Sequence, residues 1–318
     1  MQEPDSTLKK IVLAQPRGVC AGVDRAIKIV ELALARFGAP LYVRKEIVHN
    51  RFVVEGFRKQ GVVFVEELDA VPDGATVIFS AHGVAPAVKS EAERRELRAI
   101  DATCPLVSKV HHEVLRYVKK DQQLVLIGHP GHDEVVGTMG HAPQKIHLVS
   151  TVAQAEGLEL AADVPAVALT QTTLSMDDAA EIMSALAERF PLLEKPAADD
   201  ICYATQNRQN AVKALVDKVQ LLLVVGSQNS SNAARLVDVA QARGVRGALI
   251  DSAEEIEPSW LDDVEAVGVT SGASTPEVLV DAVLERLKSL SAREDLPVEL
   301  CDTVDESVVF SLPKELEA

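Results

Sequence analysis

The chain has 318 residues, 47% hydrophobic and 25% charged, with a formal net charge of −16. That length suits about two average domains and a core that needs no covalent staples. The acidity and the 3% aromatic content argue against a nucleic-acid binder, which needs clustered Lys and Arg or stacking rings. The first ten residues are polar and carry acids, unlike a signal peptide, and no apolar run reaches membrane length. The expectation is a soluble, cytoplasmic protein with no membrane or nucleic-acid partner, whose four cysteines are not a disulfide framework.

Short runs of Val, Ile and Leu alternate with amphipathic stretches, which is the α/β pattern. A first strand is expected at Ile11–Ala14. Cys20 then precedes a helix bearing Ala26, Ile27, Ile29, Val30, Leu32 and Ala33. A strand at Leu41–Val43 runs into the polar loop His49–Asn50, and a strand at Thr76–Phe79 ends in Ser80–Ala81–His82–Gly83. The order then recurs. Cys104 precedes a helix, a strand at Leu124–Ile127 leads to His129–Glu134, and a strand at Ala166–Leu169 ends in Thr170–Thr173. It recurs again with Cys202, a strand at Leu221–Val225 leading to Ser227–Asn232, and a strand at Ala266–Val269 ending in Thr270–Ser274.

The sequence thus predicts an α/β fold of three pseudo-repeated units with small, mostly parallel sheets. The units are 15–103, 104–199 and 200–290, followed by a C-terminal extension, 291–318, with a strand at Val308–Phe310. Corresponding loops at strand carboxyl ends point to one shared central site.

No Cys-x-x-Cys pair announces a metal, and a lone cysteine is by default a small buried hydrophobe. One cysteine per repeat, each ahead of a helix whose dipole favours thiolate, changes that balance. Three converging thiolates suit either structural zinc, which wants a fourth ligand, or an iron–sulfur cubane with one iron left open as a Lewis acid. Spacing does not choose between them. Cys301 has no counterpart in the repeats and is expected not to be a ligand.

The strand-end loops are rich in donors suited to a diphosphate: His49, His82, Ser230, Ser231, Asn232, Ser274 and the following helix N-termini. Each serine or asparagine serves equally well as a plain N-cap. These loops contain no Lys or Arg. Glu134, their only glutamate, stands two residues after His132, either as a proton donor or as a first-turn acid on the dipole. Asp133 is expected to be the N-cap there, and Thr172 and Thr173 add hydroxyls. His111, His112, His141 and His147 are expected to be structural or solvated.

The segments Pro16–Val23, Val48–Asn50, Ser80–Gly83, Asp101–Val107, Gly131–Glu134, Gln171–Ser175, Asp200–Thr205, Asn229–Asn232 and Gly272–Ser274 together resemble the 4-hydroxy-3-methylbut-2-enyl diphosphate reductase family. They lie in order over nearly the whole chain. The resemblance implies three α/β units around one 4Fe–4S cluster per chain, ligated by Cys20, Cys104 and Cys202, with the fourth iron open to the substrate hydroxyl. It implies a diphosphate site of His49, His82, His132, Ser230, Ser231, Asn232 and Ser274, and a proton source in Glu134 with Thr172 and His132 beside it. It also implies that the N-terminal strand, 1–14, completes the sheet of the third unit. The implied reaction removes the hydroxyl reductively to give isopentenyl and dimethylallyl diphosphate, the final step of the non-mevalonate isoprenoid pathway, with electrons from flavodoxin or ferredoxin. Two rivals stay open on the residues alone: a non-redox hydro-lyase using a similar three-cysteine cluster on a phosphorylated substrate, and a zinc-stabilised binding module.

Overall fold

In the computed structural model, which describes residues 7–161, 164–196, 198–291, 293 and 295–316, the apolar runs form strands and the amphipathic stretches form helices. The first stretch runs β1 (Lys10–Gln15), α1 (Ala21–Phe37), β2 (Leu41–Arg44), α2 (Arg51–Arg58), β3 (Val62–Val65), β4 (Thr76–Phe79), α3 (Pro86–Arg94) and β5 (Arg98–Asp101). Next come α4 (Pro105–Val118), β6 (Gln123–Ile127), α5 (Asp133–Met139), β7 (Ile146–Val149), α6 (Val152–Gly157), β8 (Ala166–Thr170), α7 (Met176–Arg189) and β9 (Leu193–Glu194). The last are α8 (Tyr203–Leu215), β10 (Leu221–Val225), α9 (Ser231–Gln241), β11 (Arg246–Ile250), β12 (Ala266–Ser271), α10 (Glu277–Leu290) and β13 (Val298–Asp302). No helix among the described residues is long and apolar enough to cross a membrane.

The chain falls into two compact units. The first comprises Met1–Cys20, His49–Val53 and Tyr203–Val308; the second comprises Ala21–Val48, Val54–Cys202 and Val309–Ala318. The second unit holds two sheets, ordered β3-β2-β4-β5 and β7-β6-β8-β9, and the first holds one, ordered β11-β10-β12-β1-β13. All pairings are parallel. The order is the same in each: second, first, third, fourth in sequence, with β1 in the fourth place of the first unit's sheet and β13 added at the edge. One cysteine follows each fourth-place strand: Cys20 after β1, Cys104 after β5 and Cys202 after β9. This regularity is the α/β repeat expected from the sequence.

Parallel strands covered on both faces must be apolar on both faces. Every residue of β8, β10 and β12 is accordingly buried. Alternate residues feed opposite cores. Leu221, Leu223, Val225, Val267 and Val269 meet Val280, Val283 and Leu287 of α10 on one side. Leu222 and Val224 meet Leu215 of α8 and Leu236 of α9 on the other. Leu124 and Leu126 of β6 pack with Val110 and Val114 of α4, while Val125 and Ile127 pack with Ile182 and Leu186 of α7.

The extension differs from expectation. Val308–Phe310 forms no strand, and Val309 is 88% exposed. The strand lies earlier, at β13, which pairs with β1 in the register Ala14↔Cys301. Only Cys301 of its five residues is buried, so neither an apolar run nor an alternation marked it in the sequence. Apolar composition alone did not make a strand of Val308–Phe310, because no neighbouring strand pairs with it among the described residues.

Gly268 sits mid-strand in β12, where a Cβ would lie 2.4 Å from Leu215 Cδ2 and 3.0 Å from Leu222 Cδ1. Gly268→Ala overpacks this core and is expected to lower the unfolding free energy by about 1–3 kcal/mol in urea titrations.

Candidate functional site

The three repeats present their cysteines through one hydrogen bond. The Cys20 N–H donates to the Ala273 carbonyl (3.0 Å), Cys104 to Ala81 (2.9 Å) and Cys202 to Thr172 (3.1 Å). Each acceptor is the second residue past a third-place strand, β12, β4 and β8 respectively. All three cysteines are partly exposed, each stands immediately before a helix, and none of the chain's four cysteines forms a disulfide. Cys301 differs in burial and in place: it is 4% exposed, packs with Val12, Ala14 and Val216, and has Lys218 Nζ 3.4 Å from its sulfur.

In the second unit, Asp101 braces the turn into Cys104. Its Oδ1 accepts from the Thr103 N–H (2.9 Å) and the Thr103 hydroxyl, and Lys89 donates to Oδ2 (2.6 Å). Burial pushes the Asp101 carboxyl up, but these donors outweigh it and hold its pKa below the ordinary value. Asp200 does the same before Cys202, accepting from the Thr170 N–H (3.1 Å) and Lys109 Nζ (3.0 Å). There burial wins, and the Asp200 pKa is raised despite Lys109.

Thr172 links the Cys202 turn to Glu134. Its N–H donates to Glu134 Oε1 (2.7 Å) and its hydroxyl to Oε2 (2.8 Å). Glu134 is 2% exposed, in the first turn of α5. The cap of that helix is His132 rather than Asp133: His132 Nδ1 accepts from the Glu134 N–H (3.2 Å). The ring reaches that amide, so Asp133 is left as the first helical residue. An Nδ1 acting as acceptor leaves the proton of the neutral ring on Nε2. Asp133 lies 4.0 Å from Lys45 Nζ, so a cation does stand at this loop although the loop's own sequence contains none.

His82 meets His132 edge-on, with ring centroids 5.9 Å apart, and its Nδ1 is 3.3 Å from Ser80 Oγ. Glycines allow this approach. At Gly83 (φ +79°) a Cβ would lie 2.6 Å from His111 Cε1, and at Gly137 of α5 one would lie 3.1 Å from the Gly83 carbonyl oxygen. The second unit therefore brings together Cys104, His82, His132, Glu134, Thr172 and Cys202 as one connected series.

The first unit brings together Cys20, His49, Ser230, Ser231, Asn232 and Ser274. Asn232 Oδ1 accepts from the Ala273 N–H (2.9 Å), and its Nδ2 donates to Thr205 Oγ1 (3.2 Å). Ser230 caps α9, with Oγ accepting from the Ala233 N–H (3.4 Å). The Ser274 hydroxyl donates to the His49 carbonyl (2.8 Å), and Asn229 Nδ2 is 3.4 Å from His49 Nδ1. Several of these groups thus act as caps and braces, one of the two roles the residue types allowed. The Gly18 N–H donates to Ser271 Oγ (2.8 Å), steadying the loop before Cys20.

Sequence reasoning missed Lys45, Thr205, Ser271 and the bracing roles of Asp101 and Asp200. Thr205 and Ser271 are both fully buried; Ser271 ends an otherwise largely apolar strand, which was an available signal, whereas Thr205 lies in a polar stretch of α8 that gave none. His111, expected to be structural or solvated, is structural. It is buried, stacks on His141 at 4.1 Å, and forms the back wall of the Gly83 turn. Burial, with His141 second, pushes its pKa down to about 3. Unfolded histidine titrates near ~6.5, so between those values the unfolded state binds the extra proton and stability falls as pH drops. We expect a loss of up to about 1.4 kcal/mol per pH unit below about pH 6.5, a slope that His111→Phe reduces in urea titrations across this range.

Residues 11–288 match the family model described as LytB protein. The chain is 59% identical over 309 residues to the 4-hydroxy-3-methylbut-2-enyl diphosphate reductase of Aromatoleum aromaticum, covering 97% of this chain and 98% of that protein. It is 54% identical over 313 residues to the enzyme of that name from Mycolicibacterium paratuberculosis, covering 98% and 93%. Among solved structures, the E-1-hydroxy-2-methyl-but-2-enyl-4-diphosphate reductase of Plasmodium falciparum superposes with a TM-score of 0.93 at 39% identity, covering 97% of each chain. A sequence match over most of the length, at high identity, establishes descent: the chain belongs to the LytB protein family.

Proposed function

We propose that this chain reductively removes the hydroxyl group of (E)-4-hydroxy-3-methylbut-2-enyl diphosphate, giving isopentenyl and dimethylallyl diphosphate at the end of the non-mevalonate isoprenoid pathway. The observation that carries the reading is the buried Glu134 carboxyl, bound by both donors of Thr172, whose carbonyl in turn holds Cys202. It joins a proton-bearing group to a cysteine turn within one residue.

The family is one of iron–sulfur oxidoreductases. The donor chemistry here fits such a group: three partly exposed thiols in equivalent turns at helix starts, and a fourth buried elsewhere. We assign Cys20, Cys104 and Cys202 as ligands of one 4Fe–4S cluster, one from each repeat. When bound, a cluster with three cysteine ligands supplies electrons and one open, Lewis-acidic iron.

The chain's own residues do the rest. Losing the hydroxyl as water takes two electrons and two protons, one for the leaving oxygen and one for the allyl carbon. With a proton on Oε2, Glu134 would donate to the Thr172 hydroxyl, reversing the bond that now runs from the hydroxyl to Oε2, and the hydroxyl would pass its own proton on. His132, with its proton on Nε2, is a donor to a diphosphate oxygen, as are His49, His82, Ser230, Ser231, Asn232 and Ser274. Anchoring the diphosphate turns binding into orientation of the hydroxymethyl end. Electrons delivered singly suit a protein carrier of the flavodoxin or ferredoxin type in the cytoplasm.

Glu134→Gln is expected to retain iron and sulfide yet lose about 10²- to 10⁴-fold in turnover with reduced viologen; a wild-type rate removes its proton role. Cys→Ser at positions 20, 104 and 202 is expected to abolish viologen-dependent turnover and cluster loading, whereas Cys301→Ser leaves both intact. Equal losses at all four positions contradict the ligand assignment. Turnover without any electron donor points to the hydro-lyase instead.

A further inference from the structure

Arg208 is the largest completely buried side chain among the described residues, at 0% exposure. It lies on α8, the helix that starts directly after Cys202. A buried guanidinium persists only where its protons find acceptors and its charge a counterion. Arg208 Nη1 donates to the Ala204 carbonyl (3.0 Å) and to Glu306 Oε1 (3.0 Å). Its Nη2 donates to the Gly18 carbonyl (2.7 Å). Longer bonds run from Nη1 to Glu306 Oε2 (3.3 Å) and from Nη2 to Glu306 Oε2 and the Arg17 carbonyl (3.4 Å each), while Nε finds no hydrogen-bond partner among the described residues. Glu306, in the C-terminal extension, also accepts from Asn207 Nδ2 (3.0 Å).

Gly18 is two residues before Cys20, in the left-handed region at φ +73°. Its N–H is already tied to Ser271 Oγ, and the Cys20 N–H to the Ala273 carbonyl. The Gly18 carbonyl is a further handle on this turn, and Arg208 occupies it, reaching the neighbouring Arg17 carbonyl as well at 3.4 Å. We propose that Arg208, held in place by Glu306, is a positioning residue that fixes the turn carrying Cys20 and so sets how firmly the protein keeps its cluster. The proposal rests on the reading of Cys20 as a ligand. It also gives the C-terminal extension a structural role, since one carboxylate from beyond the repeats locks a cysteine at the other end of the chain. Partners of this outer kind, when removed from metal sites, typically weaken metal retention by about 10- to 100-fold.

The test uses the full-length protein, reconstituted anaerobically with iron and sulfide. Iron loss to a ferrous chelator is timed while circular dichroism follows thermal unfolding. Replacing a buried pair on both sides avoids leaving a lone buried charge. The double variant Arg208→Leu/Glu306→Gln is therefore expected to unfold with wild-type cooperativity yet lose iron about 10- to 100-fold faster. Glu299→Ala, which removes the exposed Lys10–Glu299 ion pair from the same C-terminal segment, is expected to lose iron at the wild-type rate. A folded double variant that keeps its iron as long as wild type overturns the proposal, and so does equal acceleration by Glu299→Ala. Should the double variant not fold, Glu306→Asp, which keeps the counterion but shortens its reach, decides: iron loss faster than wild type supports the lock, and a wild-type rate overturns it. A wild-type protein that takes up no iron or sulfide at all sinks the assignment of Cys20 itself, a result distinct from any ranking of the variants.

Discussion

A backbone amide at the end of a parallel strand has lost its neighbour in the sheet and must find another acceptor. In this protein that need is met the same way three times. The N–H of the cysteine after each fourth-place strand donates to the carbonyl two residues past the adjoining third-place strand, at 2.9–3.1 Å. The bond fixes the cysteine relative to the sheet independently of its side chain. It also fixes the loop that follows the third strand, so the cysteine turn and the polar loop cannot move separately. Strand order supplies the rest: a second–first–third–fourth arrangement puts those two turns side by side at the carboxyl edge, where α/β proteins bind ligands.

How much of this was legible depended on the range of the signal. The strands and helices were written in local patterns: Leu221–Val225 is five consecutive apolar residues, and β10 has those bounds. The threefold recurrence was legible as well, because it rests on the order of such segments. What escaped were contacts made across the chain without a local mark. Lys45 reaches Asp133 from a left-handed residue just past β2, outside the polar loop. The partnership of Arg208 with Gly18 spans most of the chain, and nothing near either residue announces it. β13 was missed because an edge strand with one buried residue carries almost no hydrophobic signal. Capping failed for a different reason. Asp is the commoner N-cap, but the helix starts one residue earlier than an Asp133 cap requires, and His132 offers Nδ1 to the Glu134 amide.

The repeats also explain how one carboxyl came to be set apart. His49, His132 and Ser230 each stand five residues past the first-place strand of their sheet, β2, β6 and β10. Two residues further on lie Arg51, Glu134 and Asn232. Asn232 Oδ1 accepts the Ala273 N–H at 2.9 Å, and Glu134 Oε1 accepts the Thr172 N–H at 2.7 Å. These are the same bond in two repeats, made to the residue whose carbonyl holds the cysteine. In the third repeat an amide makes that bond, and its other end is spent on Thr205. In the second repeat a carboxyl makes it, and its second oxygen meets a hydroxyl where the other repeats have Ala81 and Ala273. The position of Glu134 therefore needs no catalytic explanation, since the scaffold asks for an acceptor there in any case. The choice of acid over amide, paired with threonine over alanine, is what the proposed proton role accounts for. The scaffold bond is satisfied equally by asparagine, whereas only the acid can carry and release a proton beside a cysteine turn.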